Sequence, residues 1–249
     1  MLLGFALPAA QLVGWAVRTG GVAARVASLA ATSLGLAGIA SSLTLILAIL
    51  VAYSGRLHTS AAGARVSLHS GLTAAAVSGY AVPAAVLAVG VAATFSWIDH
   101  GLISLARATL GVSLPLITTG TLVALLAAYV VRFFALGHNG AEGGLSQVSP
   151  RFDDVARSLG AGPGKTLLRA VMPPARPALA AAAVLLVMEV VKELPLTLIL
   201  RPLKLNTLAT EVFRFAGAEQ VAESAIYSLI IVTIGAVAVP ILSARSAKS

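Results

Sequence analysis

The strongest constraint on this chain is the recurrence of apolar runs long enough to cross a lipid bilayer. They fall at about Leu2–Val17, Leu29–Tyr53, Leu72–Phe95, Val112–Leu136, Ala178–Leu200 and Ala225–Leu242. A bilayer core about 30 Å thick is matched by roughly 20 apolar residues in a helix. Within hydrocarbon each backbone N–H and C=O must find its partner inside the segment, so runs of this length and pattern fold as helices. Of the 249 residues, 58% are hydrophobic and only 10% are charged, against about 25% charged in soluble domains. A core of this size cannot absorb so much apolar surface. The expected fold is therefore an all-α integral membrane bundle of about six transmembrane helices, with residues 1–249 forming a single domain.

Charge and residue usage narrow the class further. The chain has no cysteine and a net charge of +8, which excludes disulfides and thiolate metal sites. In a membrane protein that positive charge is expected to hold loops on the cytoplasmic side rather than to bind nucleic acid. Arg56, Arg65, Arg132, Arg151, Arg157, Lys165, Arg169, Arg176, Arg245 and Lys248 fall on one side of the alternating runs. The smaller set of Arg18, Arg25, Arg107, Arg201, Lys204 and Arg214 falls on the other. This bias places both termini and the segment 146–177 in the cytoplasm. Met1 leads into the first run without a positive flank, unlike a cleaved signal peptide. Either the first helix is short or the chain begins where a longer one was cut.

The segment 146–177 contains "GAGPGKT" at 160–166, which resembles a phosphate-binding loop. That loop needs G-x-x-x-x-G-K-[ST] after a buried strand. Here the first glycine position is Leu159, and the preceding "SPRFDDVARSL" has a helical pattern. The segment instead reads as two short helices around a bend. Ser149-Pro150 starts the first, Asp153 and Asp154 suit its positive end, and Gly160 can take the left-handed conformation that ends it. Gly162-Pro163 restarts a helix that is expected to stop at Pro173-Pro174. Phe152, Val155, Ala156 and Leu159 line one face of the first helix. That face either rests on the membrane and neighbouring helices or docks into a groove of another protein.

At this point the segment resembles the cytoplasmic coupling loop of ABC importer permeases, whose pattern is E-A-A, three residues, Gly, nine residues, then I-x-L-P. Asp154-Val155-Ala156 stands for E-A-A, Gly160 holds its place, and Ala170-Val171-Met172-Pro173 closes the pattern. The spacing matches in full, with Asp for Glu, Val for Ala, Ala for Ile and Met for Leu. The resemblance implies that Phe152, Asp154, Val155, Ala156, Leu159, Gly160, Pro163, Met172 and Pro173 engage a cytoplasmic ATPase subunit. ATP would then be bound by that partner, with no cofactor in this chain. The stretches 79–90, 128–137 and 188–216, above all "KELPLTLILRP" followed by "TLAT", resemble the second half of ferric-iron importer permeases. They imply a bacterial inner-membrane permease, the C-terminal half of a longer or split protein, working with an external binding protein and a second permease half.

The fifth run holds Glu189, Lys192 and Glu193, followed by Pro195. Ionised groups at membrane depth face a bundle interior or a water-filled path. Spacings of three and four put all three on one helix face, and Pro195 is expected to kink or break the helix. The cluster either lines a translocation path or gate, or neutralises itself to fix packing. Gly79, Pro83 and Gly90 suggest close packing and a bend in the third run. Arg132 reads as an anchor at the inner end of the fourth. His58, His69, His100 and His138 are scattered, and no catalytic set is visible, so no enzymatic reaction is expected of the chain. The segment 201–223 reads as an external interfacial helix. The expected function is a permease subunit of an ABC importer, for ferric iron by resemblance, with thiamine, phosphonate, sulfate or polyamine as near alternatives. An ion-coupled secondary transporter using the buried charges, or a membrane scaffold, would leave the bent loop unexplained.

Overall fold

The computed structural model describes the backbone of residues 2–19, 23–58, 64–112 and 114–246, and within these the side chains of 4–19, 24–57, 70–112 and 114–237. The helices are α1 (Leu2–Thr19), α2 (Ala23–His58), α3 (Ala64–Val77), α4 (Ala84–Leu110), α5 (Leu122–Ser146), α6 (Arg151–Ser158), α7 (Pro163–Thr166), α8 (Met172–Val191), α9 (Pro195–Leu200), α10 (Leu208–Gly217) and α11 (Ala225–Ser246). Among the described residues, four stretches are long and apolar enough to cross a membrane: Ala24–Leu57, Ala84–Leu110, Leu122–Ser146 and Pro163–Val191. A shorter apolar stretch covers Ala225–Val237. The side chains of His58, Arg65, His69 and Arg245, and the whole of Lys248, lie outside the described residues.

The centre is a three-helix unit of α2, α5 and α8, and small residues bring the backbones together. On α2 the buried side is Ser33, Ala37, Ala40, Ser41, Thr44 and Ala48, a stripe at helical spacing. On α5, Gly137, Gly140 and Gly144 face the neighbours. A Cβ on Gly140 would lie 2.5 Å from the Ala182 Cβ, and one on Gly144 3.1 Å from the Ala178 Cβ. A Cβ on Gly137 would meet Thr44 Cγ2 at 3.2 Å. Lipid tails are as apolar as leucine, so helices in a membrane gain little from apolar burial and associate through close packing. Large side chains then fill the remaining space: Leu125, Tyr129, Phe133, Leu186 and Leu196 are fully or almost fully buried.

Several expected runs have different ends. The third run is two helices, because the chain leaves α3 through a 3-10 turn at Ser78–Tyr80 and restarts behind Pro83, which caps α4. Gly79 is the close-packed residue there: an added Cβ would come within 2.7 Å of the Val131 carbonyl oxygen. Gly90 is different, since a Cβ would meet nothing within 4 Å. The fourth run begins as loop, and α5 starts only at Leu122, where the Thr121 side chain accepts from the Val123 N–H. Arg132 therefore lies in the middle of α5 rather than at its end.

Asp99 on α4 fixes the loop before α5. Its carboxylate is fully buried and accepts backbone N–H groups of Ile117 at 3.2 Å, Thr118 at 3.0 Å and Thr119 at 2.8 Å. The segment 201–223 does contain a helix, α10, opened by a Thr207–Thr210 capping box. Its first N–H, from Leu208, donates to Ser33 Oγ at 2.8 Å. Glu211, 1% exposed, pairs with Arg25 of α2 at 2.6 Å and with Arg214 at 2.8 Å.

Two predictions follow from this packing. Gly140→Val should overpack α5 against α8, destabilise the bundle by roughly 1–3 kcal/mol, and lower its melting temperature in detergent. Gly140→Ala combined with Ala182→Gly should melt close to wild type, because the methyl group only changes sides. The second concerns pH. Hydrogen bonding from Arg214, and then its charge and that of Arg25, hold the Glu211 carboxyl below its ordinary value of 4.5. A depressed carboxyl adds stability above the unfolded value and loses it as pH falls through the folded one. The melting difference between wild type and Glu211→Gln should be largest near neutral pH and narrow progressively below pH 4.5.

Candidate functional site

The bent segment is built as local rules require. Pro150 already has helical backbone angles, the Ser149 hydroxyl accepts the Arg151 N–H at 3.4 Å, and Asp153 and Asp154 sit in the first turn. At its end Gly160 is left-handed, with φ 76°. The Gly160 N–H donates to the Arg157 carbonyl and the Ala161 N–H to the Ala156 carbonyl, both at 2.9 Å. This paired closure satisfies the last carbonyls, and glycine suits its left-handed position because it has no Cβ. Gly162 is extended, and Pro163 opens α7.

Beyond that point the expected stop at Pro173-Pro174 does not occur. The chain passes through a π-helical turn at Leu167–Val171, where the Met172 N–H donates to the Leu167 carbonyl five residues back. Widening the turn changes which carbonyls need donors just before two residues that have no N–H to give. Pro173 and Pro174 then occupy the first turn of α8, where that lack is tolerated. The bend is thus joined to α8 by continuous helical backbone.

One side chain holds this segment to the bundle. Arg56, near the end of α2, pairs with Asp153 of α6: Nε lies 2.7 Å and Nη2 2.6 Å from Oδ2. Nη1 donates to the carbonyls of Leu145 and Val148, both at 2.7 Å, and Nη2 to that of Ser149 at 3.0 Å. Tyr53 Oη donates to Asp153 Oδ1 at 3.2 Å. The Arg56 and Asp153 side chains are only 14% and 7% exposed. One guanidinium therefore caps the end of α5, pairs with α6 and anchors both to α2. Sequence reasoning noted Asp153 only for its place near the helix start and gave the functional match to Asp154, which is exposed. Asp153 is the buried partner.

Fixing α6 by its buried Asp153 turns the opposite face outward. Phe152 is 50% exposed, Val155 59% and Leu159 81%, whereas Ala156 is half-buried. Arg151, Arg157 and Lys165 are exposed around them, as are Asp154 and Pro163. Met172 and Pro173 are half-buried at the start of α8, and Met172 packs against the core around Val171 and Ala175. The predicted loop residues thus divide into an outward apolar face and a group built into the bundle.

The second candidate group is also divided. Helix α8 ends at Val191, and α9 restarts with Pro195 at its first turn, so Pro195 marks a break. The single face expected for Glu189, Lys192 and Glu193 does not survive it. Glu189 and Lys192 pair at 2.7 Å, while the Glu193 carboxylate turns to accept the Leu196 N–H at 3.2 Å at the start of α9. The Thr197 hydroxyl donates to the Glu193 carbonyl at 2.8 Å and bonds to Tyr129 Oη at 2.5 Å.

Arg132 joins this region to the other interrupted helix. Its guanidinium donates to the carbonyls of Tyr80 and Val82, which the 3-10 turn and Pro83 leave without helical partners. It lies 5.2 Å from the Tyr80 ring centre and within electrostatic reach of Glu193. The two breaks, at 78–83 and 192–194, therefore meet on the same part of α5. Sequence reasoning treated Arg132 as an anchor. The proline after Tyr80 and Val82 was the available signal that nearby carbonyls would need a donor. Among the described residues, no group of three or more His, Asp or Glu is placed to hold a metal ion.

No protein-family model matches the sequence, and no curated protein matches it. Among solved structures, the chain is similar to one from an inward-facing crystal structure of the MetNI methionine ABC transporter, native crystal form. The TM-score is 0.57 at 15% identity, covering 86% of this chain and 93% of that one. A second structure of the same transporter, from a selenomethionine soak, gives a TM-score of 0.57 at 16% identity, covering 88% and 96%. At this identity the likeness is one of fold: an all-helical ABC transporter permease fold, without assignment of cargo.

Removing one side of the clamp should be far more damaging than its size suggests. Asp153→Ala leaves a buried guanidinium without its carboxylate, a change that costs about 3–5 kcal/mol in comparable buried pairs. The variant should show faster proteolysis within 145–160 and a lower melting temperature. Asp154→Ala, one residue away and exposed, should behave as wild type in both assays.

Proposed function

We propose that this chain is the membrane permease subunit of an ATP-binding-cassette importer. The observation that carries the reading is α6, fixed from behind by Arg56–Asp153 and presenting Phe152, Val155 and Leu159 outward just before a left-handed Gly160. An amphipathic helix with an apolar face and a basic surround suits insertion into a hydrophobic groove. The permease fold supports the reading, and so does the coupling-loop spacing around Gly160. The partner is a cytoplasmic ATPase subunit, which binds ATP and performs the hydrolysis. The α6 end then faces the cytoplasm, and the chain is a multi-pass protein of a bacterial inner membrane with both termini inside.

The connections suggest how closure of the ATPase would act on the bundle. A displacement of α6 is carried by Asp153 to Arg56, and so to α2 and the end of α5. It is also carried through the bend and the π-turn into α8, which ends at the break of 192–194. Glu189, Lys192, Glu193 and Pro195 lie at that far end, so they are the proposed gate or path residues. A second permease half supplies the other wall of the path and engages a second ATPase. An external binding protein delivers cargo at the α10 end.

Ferric iron is the proposed cargo. It rests on the resemblance of residues 188–216 to ferric-iron importer permeases, while methionine is the cargo named for the structural neighbours. Uptake by proteoliposomes holding this chain, a second half and the ATPase, with binding protein outside, decides among these. Iron uptake should require ATP and survive an uncoupler. Uptake that needs an ion gradient instead would favour a secondary transporter, and methionine uptake without iron uptake would replace the cargo.

A substitution test addresses coupling directly. Gly160→Val places a β-branched residue at φ 76°, a conformation it adopts poorly. The bundle should still assemble, because a Cβ at this position meets nothing within 4 Å. ATP-driven uptake should fall at least tenfold while ATP binding by the complex is retained. Wild-type uptake and ATPase docking in this variant would remove the coupling assignment.

A further inference from the structure

A cavity of about 720 Å³ opens between α2, α3 and α5 at the α6 end of the bundle, and the coupling reading does not use it. Small organic ligands occupy cavities of about 300–1,000 Å³ with mainly apolar linings and a few fixed polar groups. This one has that character. Ala52, Val77, Leu145 and Val148 supply an apolar floor, and Asn139 and Glu142 supply polar groups on α5.

The charges lining the cavity are not equivalent. Arg56 lines it, but its guanidinium is engaged by Asp153 and by the carbonyls of Leu145, Val148 and Ser149. Its positive charge is therefore matched by a buried carboxylate. The Glu142 carboxylate is 69% exposed, and the ion-pair contact it makes is to His138 Nε2 at 3.8 Å, too long for a hydrogen bond. His138 is more than nine-tenths buried and stacked on Phe134, and its Nδ1 is shielded from solvent, so the ring offers the cavity no open acceptor there. The wall thus offers a carboxylate and an amide beside an apolar floor, with its arginine already committed.

We infer that this cavity binds a small organic cation, with an apolar body on the floor and an ammonium group at Glu142 and Asn139. Among the described lining residues an anion finds no positive group that is not already matched, and a bare metal ion would leave most of the volume unfilled. Three of the lining residues, Arg56, Leu145 and Val148, also belong to the clamp that holds α6. Occupancy would therefore brace the α5–α6 link against α2 and α3. Resting on the importer reading, this makes the cavity a control point at which a cytoplasmic amine damps coupling to the ATPase.

The test uses the full chain in phosphatidylcholine nanodiscs and three probes of similar shape: benzylamine, benzyl alcohol and benzoate, measured by titration calorimetry. Benzylamine should bind at least tenfold more tightly than the other two, as a charge-assisted contact requires. Glu142→Gln should reduce it to the level of the alcohol. Ala74, on the α3 side, also lines the cavity, and Ala74→Phe, which fills it, should weaken benzylamine and the alcohol alike. Equal affinity for amine and alcohol, no binding of benzylamine, or an undiminished preference in Glu142→Gln would each overturn the site. Phosphatidylethanolamine in the nanodiscs should leave benzylamine affinity unchanged, and strong competition would reassign the site to a lipid headgroup. In the assembled complex, benzylamine should lower ATPase activity in wild type but not in Glu142→Gln. Binding without that effect would overturn the control role and leave the site standing.

Discussion

The Arg56–Asp153 pair is the interaction on which the α6 end of this bundle depends. Helix α5 ends with carbonyls that no helical N–H can reach, and α6 begins with an acid that the fold buries. Either feature alone would be costly away from water. A single guanidinium answers both, because its planar fork carries five donors in a fixed geometry. The result ties α2, α5 and α6 together with residues 97 positions apart in sequence. It also decides which side of α6 is hidden, and so which side faces outward.

Elsewhere the bundle is held by shape more than by charge. The glycines of α5 let α2 and α8 approach until an added methyl group would collide, as at Gly140. The same helix then supports both interrupted elements. Gly79 presses against Val131, Arg132 caps carbonyls at 80 and 82, and Tyr129 bonds to Thr197 beyond the second break. Interrupted helices are tolerated at membrane depth only where protein or water satisfies the freed groups. Here α5 supplies those partners. The continuous run from Pro163 to Val191 joins the bend to one of these breaks, so a local movement at α6 has a rigid route into the bundle.

Much of the loop is legible in its local sequence. Gly160, the glycine–proline restart and the paired acids are local signals, and each acts through its own backbone or the adjacent turn. The errors arose where a local signal met a distant neighbour. Pro173-Pro174 reads as a stop, but a π-turn carries the helix through it. Glu189, Lys192 and Glu193 share a face only if the helix continues, and it ends at Val191. Arg132 reads as an anchor only if α5 ends nearby.

The sequence by itself determined the solvent and the class of element. Long apolar runs with few charges must be helices in lipid, because unpaired backbone groups are too costly there. It also determined where the chain bends, since a left-handed residue favours glycine. Only the tertiary structure decided that Asp153 rather than Asp154 is buried, that Arg132 serves a break 50 residues away, and that α6 shows Phe152, Val155 and Leu159 outward. Hydropathy and capping act over one or two turns of helix, whereas partners for buried charges are set by how whole helices pack.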